Sequence, residues 1–210
     1  MPPLDDAEEI RTRWSEVSGG IDAANAYQRR FDELVEQGFD IHGEARFVST
    51  LRPPPARVLD AGCGTGRIAT ELTRLGYDVV GVDADPAMIE VARERDAYTR
   101  FVWADLATLE LVSQSFDVVL LAGNVVPYLA DGTLVQVLRR CRAHLQSDGL
   151  LVAGFSLAGH QPDNAAAITA EEYERAAFAA GLSLVRRYGT WERAPFDPRG
   201  EYLLALHRLT

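Results

Sequence analysis

A chain of 210 residues, 47% of them hydrophobic and 25% charged, has the size and composition of one ordinary globular domain. Its 31 acidic against 21 basic side chains leave a formal charge of −10, which repels nucleic-acid backbones and anionic membrane surfaces. The two cysteines, Cys63 and Cys141, have no CxxC or Cys/His spacing, so neither a zinc site nor a disulfide framework is expected.

The chain opens on MPPLDDAEEI, polar and acidic where a secretory signal is basic and then apolar. No run approaches the roughly 18 apolar residues of a membrane span, so a soluble cytoplasmic protein is expected. Residues 22–37 place Tyr27, Phe31, Leu34 and Val35 on one helical face, with Asp22 as N-cap and Gly38 as stop. A second helix is predicted through 42–51, with Ala45, Val48 and Leu51 inward, until Pro53, Pro54 and Pro55 end it.

Alternation follows. Strand 57–60 leads to helix 67–75, stopped by Gly76, then to strand 77–83 and a helix opened by Asp85 as cap and Pro86 at its first position. Strands 100–105, 116–123 and 149–156 come next, with a helix near 131–146 between the last two. Several of these runs are apolar on both faces, which argues a parallel sheet covered on both sides. The tail differs: Thr169-x-x-Glu172 forms a capping box, Gly181 closes that helix, and 182–191 and 201–209 read as a hairpin around a Pro/Gly turn. A hairpin appended to a parallel sheet makes the sheet mixed.

The stretch VLDAGCGTGR at 58–67 sets three glycines in five positions directly after a strand. Each glycine costs about 0.5–1 kcal/mol relative to alanine in regular structure, so the loop needs bare backbone for a ligand. A dinucleotide fingerprint runs G-x-G-x-x-G. Here the spacing is Gly62-x-Gly64-x-Gly66, with Arg at 67 and Asp60 two places before the first glycine. An acid there suits a cationic sulfonium or ammonium ligand better than a pyrophosphate.

The motif DAGCGTG resembles the first motif of class I S-adenosylmethionine-dependent methyltransferases, and the likeness runs over roughly residues 40–160. The resemblance implies an α/β, Rossmann-like, doubly wound, seven-stranded mixed sheet, mostly parallel with the last strand antiparallel, helices on both faces and an N-terminal helical lid. It implies one domain over 1–210, with the lid at 1–52 and the core at 53–210. It assigns donor binding to Asp60, Gly62, Gly64 and Gly66; to Asp83 on the ribose hydroxyls with Ala84 and Met88 beside it; to Asp105 and Leu106 at the adenine edge; and to Ala122 and Asn124 along the methionine portion.

The family's in-line displacement takes most of its rate from near-attack positioning, so no catalytic residue is named. Base candidates are His42, Tyr128, His160, Tyr27 and Tyr188, and Arg46 is a candidate for the donor's carboxylate. The substrate pocket is expected to draw on Tyr27, Arg46, Tyr128 and His160. Asn124 to Tyr128 does not match the N-P-P-Y motif of nucleic-acid amino-methyltransferases, and the charge of −10 lacks a basic track, so the acceptor is expected to be a small molecule methylated on O, N or C. No metal is expected, because no acid and histidine cluster has ligand spacing. Two readings compete: an NAD(P)-dependent oxidoreductase on a similar sheet, and a non-catalytic S-adenosylmethionine-binding regulator.

Overall fold

The computed structural model describes residues 11–210. The first ten residues, which carry part of the predicted lid and the segment read as lacking a secretory signal, lie outside the described residues. Three helices come first: α1 Arg13–Val17, α2 Gly20–Glu36 and α3 Gly43–Leu51. Then β1 Arg57–Ala61, α4 Arg67–Arg74, β2 Asp78–Asp83, α5 Pro86–Arg95, β3 Arg100–Trp103, β4 Phe116–Leu121, α6 Leu134–Ala143, β5 Leu145–Ser156, α7 Ala170–Ala179, β6 Leu182–Tyr188 and β7 Tyr202–Leu209 complete the fold.

One seven-stranded sheet runs β3-β2-β1-β4-β5-β7-β6. The strands from β3 to β5 pair in parallel, and β7 lies antiparallel between β5 and β6. Strand order reverses between β1 and β4, so the crevice at their carboxyl ends is where an open α/β sheet binds ligands.

Side chains alternate across the sheet because successive residues of a strand face opposite ways. Val58, Val118, Leu120, Val152 and Leu204 face a layer built from α3, α4 and α5, whereas Leu59, Val119, Leu121, Leu151 and Leu203 face α6 and α7. Both layers are buried, which is why these strands read as unbroken apolar runs. Each such side chain contributes about 1.5–3 kcal/mol by leaving water.

Helix α2 departs from its sequence reading. Its N-cap is Gly19 rather than Asp22, its most buried residues are Ala24 and Gln28, and Val35 is exposed. The helix rests through Ala24, with Tyr27 beside it, on Ala87, Met88 and Val91 of α5. Strand β5 begins four residues earlier than expected. A bulge opposite Phe116 and Val118 takes up the extra residues, and a Cβ at Gly149 would come within 2.9 Å of the Phe116 carbonyl.

Tyr173 on α7 is fully buried against Phe155 and His207, and its hydroxyl has no hydrogen-bond partner among the described residues. Tyr173→Phe is therefore expected to stabilise the fold by about 1 kcal/mol, since the desolvated hydroxyl gains nothing back. Urea denaturation tests this, and a loss of stability would reveal a partner for that oxygen.

Candidate functional site

Strand β1 ends in the core, and the chain turns through the glycine loop into α4. The N–H groups of Gly62 and Cys63 both donate to the Val82 carbonyl, at 2.7 and 2.9 Å, binding the loop to the end of β2. Gly62, Gly64 and Gly66 all have positive φ, at 85°, 55° and 84°, but their surroundings differ. A Cβ on Gly62 would collide with the Val125 side chain, and one on Gly66 would lie 2.7 Å from Phe101 Cζ and 3.2 Å from Ala92 Cβ. Those two glycines let elements pack. At Gly64 the nearest atom to such a Cβ is Tyr27 Cε1 at 3.9 Å, and the position opens onto a cavity.

That cavity, of about 550 Å³, lies at the carboxyl ends of β1, β2 and β4 beneath α1 and α2. Asp83, the last residue of β2, accepts from the Gly64 N–H at 2.8 Å through Oδ2 and from the Asp85 N–H at 2.9 Å through Oδ1. Burial raises its pKa to about 6, and these backbone donors hold it from rising further. Asp105 Oδ1 accepts from the Ala107 N–H at 2.6 Å. Asn124 follows Gly123 in a loop where both residues have positive φ, and its Oδ1 accepts from the Ser156 N–H at 2.7 Å, tying the exit of β4 to the end of β5.

A strap crosses the opening. Trp14 on α1 donates from Nε1 to Asp85 Oδ2 at 2.8 Å and meets Tyr27 and Tyr128 edge-on, with centroids 6.1 and 5.4 Å away. Arg13 grips Asp131 through Nε and Nη2 at 2.8 and 3.1 Å. Deeper in, Glu44 holds Arg67 with both oxygens, at 2.9 and 2.6 Å, while the guanidinium lies 4.8 Å from the Phe31 ring. Thr65 donates to Gln28 Oε1 at 2.5 Å, fixing α2 to the loop.

Of the residues expected to bind the donor, Gly62, Gly64, Asp83, Ala84, Met88, Asp105, Leu106 and Asn124 line this one cavity. Asp60, Gly66 and Ala122 do not. Asp60 is enclosed beneath the loop, 1% exposed, and Ala122 borders a small recess of about 40 Å³ that adjoins the cavity at Gly62 and Gly64. Of the expected substrate residues, Tyr27 and Tyr128 reach the cavity and Arg46 and His160 do not. Arg46 is half exposed and paired with Asp40, so the cations on the wall are Arg30 and Arg67. His160 sits 3.7 Å from Glu201, at the surface.

Trp14, Phe31, Glu44, Arg67 and Thr133 also reach the wall, without having been read as site residues. Phe31 shares a helical face with Tyr27, and Arg67 abuts the motif, so both carried a signal. Trp14 carried none: its place depends on how α1 folds back over Asp85.

The chain matches the family model described as a methyltransferase domain over residues 58–149. A TehB-like SAM-dependent methyltransferase from Corynebacterium glutamicum superposes with a TM-score of 0.82 at 32% identity, over 90% of this chain and 99% of that one. The chain belongs to the class I S-adenosylmethionine-dependent methyltransferases. Among curated relatives, a ubiquinone biosynthesis O-methyltransferase from Methylocella silvestris is 36% identical over 127 residues, and a malonyl-[acyl-carrier protein] O-methyltransferase from Serratia marcescens is 30% identical over 112. These stretches cover 58% and 53% of this chain and 48% and 39% of the relatives, so the chain spans about half or less of their length.

S-adenosylmethionine is the methyl donor of this methyltransferase family. The cavity fits it on three observations: Gly64 leaves bare backbone on the wall, Asp83 presents a carboxylate at the edge of β2, and the volume lies within the range that buries a nucleoside-sized ligand. No helix among the described residues is long and apolar enough to cross a membrane.

Proposed function

We propose that the chain is a cytoplasmic enzyme that binds S-adenosylmethionine in this cavity and moves its methyl group to a small molecule. The observation that carries the reading is the pairing of Gly64 with Asp83, where open backbone and a carboxylate meet on one wall. Asp83 receives the ribose hydroxyls, Ala84 and Met88 flank the nucleoside, and Asp105 with Leu106 reads the adenine edge. Arg30, in place of Arg46, takes the donor's carboxylate, because it is the wall cation with no ion pair among the described residues. When bound, the donor supplies an electrophilic methyl on a sulfonium sulfur. The strap residues Trp14 and Tyr128 exclude water, and Asn124 holds the loop that faces the transferring group.

The acidic chain, with formal charge −10, favours a small-molecule acceptor over a nucleic acid. Calorimetric titration with S-adenosylhomocysteine beside NAD tests the donor assignment. Micromolar or tighter binding of the first and none of the second is expected, and the reverse result would replace this reading with an oxidoreductase.

Asp83→Asn is expected to weaken S-adenosylhomocysteine by about 1.5–3 kcal/mol, the cost of replacing charge-assisted bonds with neutral ones. The wild-type affinity should also fall as the pH drops below about 6, because the protonated carboxyl has lost an acceptor site. Equal affinity of variant and wild type at pH 8 would remove Asp83 from the donor site.

A further inference from the structure

We propose that the methyl acceptor enters this site with its nucleophilic atom already unprotonated, as the phenolate, thiolate or carboxylate of a small molecule. The inference rests on the donor reading above and deepens it. An alcohol or an ammonium must lose a proton as the new bond forms, and a site that serves one sets a free base within hydrogen-bond reach.

The acid–base groups on the described wall are engaged elsewhere. Both oxygens of Glu44 are held by Arg67, and both oxygens of Asp83 accept backbone N–H groups. Asp105 accepts the Ala107 N–H through Oδ1 alone, and on the donor reading above its other oxygen meets the adenine edge. Tyr27 is wedged edge-on between Trp14 and Phe31, and burial raises its pKa. Tyr128 donates its hydroxyl to the Asp163 carbonyl at 3.2 Å, and burial raises its pKa as well. Arg30 and Arg67 are cations. His42 stands at the N-cap position of α3, off the wall, and His160 is at the surface near Glu201, so the described wall has no histidine.

Asn124 supplies the complementary group. The backbone N–H of Ser156 requires an oxygen acceptor, which fixes the carboxamide with Oδ1 toward β5. Its N–H donors, bonded to no described residue, are then what Asn124 offers to the cavity, and two donors suit an anionic atom. In the transfer, the acceptor's lone pair forms the bond to the methyl carbon, the old carbon–sulfur pair stays on sulfur, and no proton moves. A sulfonium and an anion become two neutral groups, a change that an aromatic-walled, largely apolar pocket favours.

The protein saturated with S-adenosylhomocysteine is titrated with 4-nitrophenol, whose absorbance separates phenol from phenolate. The bound form is expected to be phenolate, with a pKa at or below that of the free compound. Asn124→Asp keeps an oxygen for Ser156 and replaces the donors with a negative charge, so it should weaken the phenolate at least tenfold and raise its bound pKa. With the methyl donor and a series of substituted thiophenols, the inflection of the pH–rate profile should follow each thiol's own pKa. Binding as neutral phenol, no binding of 4-nitrophenol, an unaffected Asn124→Asp variant, or one inflection common to all acceptors overturns the inference. Failure of S-adenosylhomocysteine to bind overturns the donor reading instead.

Discussion

Gly66→Val is expected to destabilise the protein by more than about 3 kcal/mol, whereas Gly64→Asn folds with a loss near 1 kcal/mol and binds S-adenosylhomocysteine at least tenfold more weakly. The two positions are two residues apart in one loop, and sequence alone gives no reason to separate them. At Gly66 the backbone has φ 84°, which a β-branched residue adopts only under strain, and a Cβ would sit 2.7 Å from Phe101 Cζ. Phe101 lies in β3 and Ala92 in α5, both buried, so neither moves without opening the core. At Gly64 the φ of 55° is one that asparagine tolerates, and its side chain has open space to enter. That space is the cavity, so the harm falls on binding. Urea denaturation and calorimetry on both variants decide the matter. A stable Gly66→Val, or a Gly64→Asn that binds normally, would show that the roles of these glycines are misassigned.

Asp60→Asn is expected to stabilise the unliganded protein by several kcal/mol above pH 7 and to flatten its pH dependence. Neither carboxylate oxygen of Asp60 has a hydrogen-bond partner among the described residues, and the Ala69 N–H at the start of α4 approaches without completing a bond. Burial raises the pKa from 3.8 to about 7, with Glu44 and Asp83 pushing the same way and Arg67 opposing. Between those two values the folded chain holds a proton that the unfolded chain releases. Stability contributed by this group is therefore complete below pH 3.8 and lost as the pH rises toward 7. A shift of about three units corresponds to about 4 kcal/mol at 1.36 kcal/mol per unit. Asparagine is neutral throughout and removes this slope. Denaturation midpoints from pH 4 to 8 on both proteins test it, and parallel curves would mean that Asp60 is ionised and partnered in the fold.

Some of the site was legible because its signal is local. The glycine spacing and the acids at the ends of the second and third strands sit at fixed distances from strand ends, and Gly62, Gly64, Asp83 and Asp105 all reach the cavity. Arg46 failed for a physical reason. Arg30, Arg46 and Arg67 lie on three different helices, and only tertiary packing sets which of them meets the cavity and which meets Asp40. Asp60 failed in another way. An acid before a glycine loop reads as facing the ligand, yet the period-2 alternation of β1 and the turn at Gly62 leave it beneath the loop.

The sequence by itself determined the alternation of strands and helices, the capping of α5 by Asp85 and of α7 by Thr169, and the family to which the loop belongs. These depend on side-chain period, cap chemistry and backbone freedom, all set within a few residues. Only the tertiary structure decided that Trp14 closes on Asp85 and Tyr128, that Glu44 is spent on Arg67, and that Gly62 and Gly66 admit close packing while Gly64 faces the cavity. Those outcomes join residues from 23 to over 100 positions apart, and no local pattern encodes which distant surface a side chain will meet.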